Sequence, residues 1–192
     1  MTRLENELCS AEISVEEASG PVADLSSIYD IVLDPHGISR DPDRRVMSVR
    51  IRLKDREYTV ALVADKYFDH DRNCAALRGD VMTILQCCGV TQIDVASGRI
   101  LRTMAFADQA SKFGIFSVNG GYLIHGELDI LMLNEELEEV WSFSGRDIFV
   151  SVTGKKEFEI KEDRICLYDF EDDYYEIDFH GQLIRSVMQD RR

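Results

Sequence analysis

Any chemistry in this chain must begin from a few short clusters. Asp65, Asp69, His70 and Asp71 fall in one polar stretch. Carboxylates suit hard cations, and an imidazole beside them suits zinc or iron. A calcium-binding loop needs alternating acids, a central glycine and a late glutamate, and this stretch has no such order. A solvated turn is the simpler reading. Cys74 follows His70 by four positions, so a thiolate–imidazole pair is conceivable beside the commoner reading of a lone buried cysteine. The histidines His36, His70, His125 and His180 are scattered. His125 alternates with apolar neighbours in Tyr122–Gly126 and reads as a hydrogen-bonded sheet histidine. His180 reads as a turn residue. The chain has no GxSxG, no GxxxxGK[ST] and no strand–GxGxxG–helix pattern. The sequence therefore assigns no catalytic residue, cofactor or metal ligand.

The second cluster is acidic. Glu162 and Asp163 stand near Glu171, Asp172 and Asp173, and Tyr174 and Glu176 follow. Tyr175 and Ile177 alternate as core positions. Tyr174, offset by one, should face the other side with Glu176 and Asp178. A tyrosine rimmed by acids is the composition of a protein-recognition patch. The whole chain agrees in sign: 36 Asp plus Glu against 22 Lys plus Arg give a net charge of −14. Such a surface repels nucleic-acid phosphates and anionic membranes and attracts a basic protein. The expected function is a non-catalytic protein-interaction module with an acidic β-surface. An immunity-type protein that neutralises a cationic toxin is one concrete version. The alternative is a small-molecule-binding protein or hydrolase with a cleft between sheets. That version requires His70, Asp69 and Asp71, or His125 with acids, to converge on one pocket.

The elements that must position these groups read as strands. The first 45 residues hold all three prolines and are expected to be loop-rich, with one or two strands, Ser27–Leu33 among them. Residues 46–192 are expected to form a β-repeat domain, the whole making one compact domain. Met47, Val49, Ile51 and Leu53 alternate with polar residues, and Tyr58–Ala64 completes a hairpin. Residues 74–88 fit helix or strand, and a strand after Asp80 is favoured because Gly79 weakens a helix interior. The N-terminus is charged, and no apolar stretch reaches the ~20 residues a membrane span needs. Five cysteines without framework spacing fit free thiols in a cytoplasmic protein.

Three later segments share one grammar of strand, polar turn and strand: Ile93–Leu101, Leu131–Trp141 and Ile177–Ile184. An apolar strand precedes each, which places units near 81–101, 115–143 and 158–184. Ile93-Asp94-Val95-Ala96-Ser97-Gly98-Arg99-Ile100-Leu101 resembles the outer hairpin of blades in quinoprotein-type and WD-repeat propellers, and Val140-Trp141-Ser142-Phe143 resembles the strand that follows. The resemblance covers about residues 80–186 and implies a fold. It transfers no ligand or activity, because the WD-repeat signature and any quinone-binding pattern are missing. The expected class is mainly β, an array of antiparallel hairpin or meander units forming a partial or small propeller-like structure. A two-sheet sandwich is the alternative.

Overall fold

A computed structural model of the chain describes residues 1–17, 22–42, 44–65, 73–108 and 110–189. The fold is mainly β, built from four sheets. The first sheet contains β1 (Thr2–Glu5), β2 (Cys9–Glu17), β3 (Ile31–Leu33), β4 (Arg45–Leu53) and β5 (Glu57–Ala64), in the order β1-β2-β4-β5-β3. Only β3 runs parallel to its neighbour. A 3-10 helix, Val22–Ser27, precedes β3. The other sheets are four-stranded antiparallel meanders. The second holds β6 (Ala75–Arg78), β7 (Val81–Gln86), β8 (Gly89–Asp94) and β9 (Ile100–Ala105). The third holds β10 (Lys112–Val118), β11 (Gly121–Gly126), β12 (Ile130–Leu133) and β13 (Glu139–Phe143). The fourth holds β14 (Phe158–Ile160), β15 (Ile165–Tyr168), β16 (Tyr174–Ile177) and β17 (Leu183–Val187).

Side-chain alternation explains the packing. Met47, Val49 and Ile51 are fully buried on one face of β4, against Met82, Ile84 and Ile93 of the second sheet. A second apolar cluster joins the second sheet to the third through Leu85, Val90, Ile115 and Ile124. A third joins the third sheet to the fourth through Leu123, Phe149, Leu167 and Ile177. The sheets thus pack in chain order. Each outer face carries charges instead. Arg52 reaches Glu57 at 2.6 Å and Glu12 at 3.3 Å across the first sheet. Arg164 reaches Asp163 at 2.7 Å and Glu176 at 2.8 Å on the fourth.

Antiparallel meanders put their first and third turns at one end. Bonds between sheets align these ends: Asn6 donates to the Gly79 carbonyl (2.8 Å), Tyr58 to that of Val95 (2.7 Å) and Gln92 to that of Glu135 (3.0 Å). One end of the molecule therefore collects the turns at 6–8, 54–56, 79–80, 95–99, 119–120, 134–138, 161–164 and 178–182. Gly79 (φ 59°) and Gly120 (φ 85°) make two of them in the left-handed region glycine tolerates.

Several expectations shift. The segment expected to be loop-rich carries β1, β2 and β3, and β2 pairs with β4 from Cys9↔Leu53 to Glu17↔Arg45. The boundary expected between 45 and 46 thus falls inside one sheet. The strand expected over Ser27–Leu33 is only β3, because the 3-10 helix takes its start. The second unit of the molecule begins at Ala75 rather than Val81, since β6 pairs with β7 across the Gly79–Asp80 turn. No helix among the described residues is long and apolar enough to cross a membrane.

Candidate functional site

The acids singled out from the sequence do not form one patch. Glu162 and Asp163 occupy the β14–β15 turn, whereas Glu171, Asp172 and Asp173 occupy the β15–β16 turn. The four residues of β15 separate them by about 13 Å. Asp173 is 1% exposed, so it cannot contribute to an accessible surface. Its carboxylate accepts the Gln189 N–H, fixing the chain after β17, and faces Arg146 at 3.4 Å. The buried Asp169 beneath it accepts the N–H groups of Glu171 (3.1 Å) and Asp173 (2.9 Å) and the Tyr175 hydroxyl (2.9 Å). Asp172 sits in the left-handed region (φ 63°) and accepts the Thr153 hydroxyl at 2.9 Å, with Lys155 3.3 Å away. Glu171 remains exposed.

Tyr174 and Glu176 share the outward face of the fourth sheet. The Tyr174 hydroxyl donates to Glu176 at 2.8 Å, and its ring packs against Tyr168 with centroids 4.9 Å apart. Burial, then hydrogen bonds to Cys166 and Glu176, push the phenol upward. The Tyr174 bond, then Arg164, hold the Glu176 carboxyl below its usual range. Arg164 also grips Asp163 with two parallel bonds (2.9 and 2.7 Å). Asp163, Tyr174 and Glu176 are thus occupied with the polar cap. Asp178 is not on that face. It accepts the N–H groups of His180 and Gln182, both at 2.8 Å, and closes the β16–β17 turn.

A stronger acidic feature lies in the β12–β13 turn. Glu135, Glu136, Glu138 and Glu139 are all exposed. Leu137 between them is 4% exposed and packs into the second apolar cluster, with φ at 64°. The Asn134 side-chain oxygen accepts the N–H groups of Glu136 (3.0 Å) and Glu138 (2.8 Å). One inward leucine and one capping asparagine therefore turn four glutamates outward. In sequence they read as a hairpin turn, and the signal was their density. Beside this turn is a groove of 610 Å³ between the third and fourth sheets. Val118, Met132, Val140, Trp141 and Phe179 line it, with Glu162 and His180. The Trp141 indole N–H donates to the Phe179 carbonyl at 3.0 Å. Gly181 lies against the indole, where a Cβ would come within 2.7 Å of Cδ2.

At the opposite end is a cleft of 810 Å³, lined in part by His36, Asp41, Asp65, Cys87, Cys88 and Phe106. The Asp34 carboxylate accepts the N–H groups of Ile38 (2.9 Å) and Ser39 (3.0 Å) and shapes the turn that carries His36. Gln86 fixes the imidazole. Its amide nitrogen donates to the Val63 carbonyl at 2.7 Å, so its oxygen must be the atom facing Thr91 (2.7 Å) and His36 Nε2 (3.1 Å). An acceptor at that position requires the proton on Nε2 and leaves Nδ1 with a lone pair. Burial lowers the His36 pKa, which keeps the ring neutral. Burial, then the neighbouring Asp65, push the Cys88 thiol up to about 12. Burial also raises Asp65. This cleft thus combines the His36 imidazole with the carboxyls of Asp41, Asp65 and Asp108, and Cys88 is held as a thiol rather than a nucleophilic thiolate.

The remaining candidates fall elsewhere. Asp69, His70 and Asp71 lie outside the described residues, and so does any His70–Cys74 pair. Cys74 is buried, donates to the Thr2 hydroxyl at 3.3 Å and has its pKa raised by burial. His125 is 3% exposed and packs between Phe158 (stacked, 4.7 Å) and Phe113 (5.2 Å). Of the acids among the described residues, its surrounding pocket includes only Glu157. Among the described residues, no three His, Cys, Asp or Glu side chains are placed to hold a metal ion.

No protein-family model matches the chain, and no curated protein matches it. Solved structures do. BamB from Moraxella catarrhalis is 10% identical, with 78% of this chain and 48% of that chain covered and a TM-score of 0.44. A protein of unknown function from Bacteroides caccae is 18% identical, with 74% and 54% covered and a TM-score of 0.47. Hsv2 from Kluyvelomyces marxianus is 7% identical, with 75% and 48% covered and a TM-score of 0.44. This chain spans about half the length of each. BamB and Hsv2 are β-propellers. The fold here is propeller-like. These likenesses are too distant to carry a function with them.

Proposed function

We propose that this chain is a protein-interaction module that engages a basic partner through the acidic turn end of its sheets. The observation that carries this reading is the β12–β13 turn, where Leu137 and Asn134 set Glu136 and Glu138 toward solvent, with Glu139 exposed at the start of β13 and Glu135 exposed but paired with Arg78 at 2.9 Å. Fixed like charges on a rigid turn attract an oppositely charged surface and speed its encounter, with little ordering cost on binding. The net charge of −14 adds a long-range field of the same sign. An immunity-type protein that neutralises a cationic toxin is one concrete form. Cys9, Cys74, Cys88 and Cys166 as thiols rather than disulfides support a reducing, cytoplasmic setting.

The test uses a fluorescently labelled peptide, acetyl-Lys-Gly-Arg-Gly-Lys-amide, and measures anisotropy. Binding should weaken strongly between about 0.01 and 0.15 M salt, as the Debye length falls from about 30 to about 8 Å. Replacing Glu135, Glu136 and Glu138 together by lysine should abolish it, and Glu171→Lys at the opposite end should leave it unchanged. Salt-independent binding, or equal loss from the two ends, overturns the reading.

A second reading is small-molecule binding in the cleft around His36, favoured by the acceptor that Gln86 leaves at Nδ1. Ligands that raise the melting temperature should lose that effect in His36→Phe. Hits that stabilise this variant equally would remove the reading.

A further inference from the structure

We infer that the groove between the third and fourth sheets is the docking site for a cationic segment that carries an apolar anchor residue. The inference rests on the acidic-module reading and gives it a location and a recognition chemistry. Three observations converge on the groove.

The first is apolar surface left accessible. Trp141 and Phe179 line the groove and are only partly buried, and Val140 beside them is 57% exposed on the outermost strand. A side chain entering here removes apolar surface from water on both partners, which favours association. The volume of 610 Å³ lies within the range of about 300–1,000 Å³ typical of binding pockets.

The second is charge. Glu162 lines the groove, and Glu138 and Glu139 stand exposed at the start of its β13 wall. The nearby cations are already engaged: Arg164 with Asp163 and Glu176, and Lys161 with Glu159 at 3.7 Å. The uncompensated charge around the apolar lining is therefore negative, and it selects lysine or arginine next to the anchor. Interface cores enriched in Trp and Met with a polar rim have this composition.

The third is preorganisation. Trp141 is fixed by its bond to the Phe179 carbonyl and by close contact with Gly181, whose φ of 75° and missing Cβ make room for the indole. A wall already held in place loses little freedom when a partner arrives.

Trp141 is the single tryptophan of the chain, so its emission reports on the groove directly. The experiment titrates acetyl-Lys-Leu-Arg-Leu-Lys-amide into the full chain and compares it with acetyl-Lys-Gly-Arg-Gly-Lys-amide. The leucine peptide should change Trp141 emission saturably and bind about tenfold tighter than the glycine peptide, a difference of about 1.4 kcal/mol. Glu162→Lys and the exposed-site change Val140→Asp should each remove that advantage, and Glu171→Lys should not. If both peptides bind equally and in a salt-dependent way with unchanged emission, the groove proposal fails while the acidic-module reading stands. If neither binds, both fail. If emission changes with protein concentration in the absence of peptide, a second copy fills the groove, and the proposal for a cationic segment is overturned.

Discussion

His36 shows how a single residue's chemistry is set by neighbours far along the chain. The Val63 carbonyl can only accept, so it orients the Gln86 amide, and the amide orients the His36 proton. The ring then sits between that bond and Gly89, whose backbone passes close to its edge. Burial is the largest influence and lowers the His36 pKa from its ordinary value of 6.5. The bond to Gln86 and the charges of Asp65 and Asp34 oppose it. The folded state thus takes up a proton less readily than the unfolded chain. The stability contribution is complete above the unfolded value of about 6.5 and is lost as pH falls from there through the lower folded value. The melting temperature of the natural chain should therefore drop more between pH 7.5 and pH 5.5, on either side of about 6.5, than that of His36→Gln. Parallel curves for the two proteins would show that His36 carries no such linkage.

At the scale of elements, Gly89 marks a constraint that strand patterns hide. A Cβ there would stand 2.2 Å from the Met104 carbonyl and 2.5 Å from His36 Cε1. The collision lies inside the β8–β9 ladder, where Val90 pairs with Met104. Gly89→Ala should cost about 1–3 kcal/mol, as overpacking does, and should also move the His36 ring resonances. A denaturation midpoint matching the natural chain would show that the ladder yields freely. The sequence made other elements plain. Strict alternation over Met47–Leu53 announced β4, and Asp94-Val95-Ala96-Ser97-Gly98 announced the turn before β9. β6 escaped because Ala75-Ala76-Leu77-Arg78 is short and lacks alternation, so only pairing with β7 makes it a strand. The nine-residue partnership of β2 with β4 depends on chain folded back through Arg45, which no local pattern shows. The acidic surface was legible as charge and not as place. Nothing local separates the buried Asp173 from the exposed Glu162. The outward set of the glutamates depends on Leu137 adopting positive φ. The groove draws on residues from Val118 to His180, which only the packing of two sheets brings together.

The whole molecule is a series of sheets joined by three apolar clusters in chain order, with charged faces at both ends. The inner two sheets are therefore supported on both sides, and among the described residues the fourth sheet shares a cluster only with the third. Stability in such a series is close to a sum of unit and nearest-neighbour contributions, so damage at one end should stay local. Leu167 tests this. It is fully buried in the cluster between the third and fourth sheets, and Leu167→Ala should cost about 2–5 kcal/mol through lost burial and the cavity left behind. Hydrogen exchange should accelerate across β14–β17 first. It should reach the facing strands of the third sheet more weakly and leave β2 and β4 protected, because among the described residues the first sheet shares no apolar cluster with the fourth. Val90→Ala, in the cluster between the second and third sheets, should instead loosen strands on both sides of the mutated position. Equal acceleration in all four sheets for Leu167→Ala would mean that the molecule opens as one cooperative unit. Local opening would also carry a functional signature. The groove at Trp141 spans the third and fourth sheets, so it should lose its shape before the glutamate turn does. Binding of an apolar anchor would then weaken while attraction of a basic surface persisted.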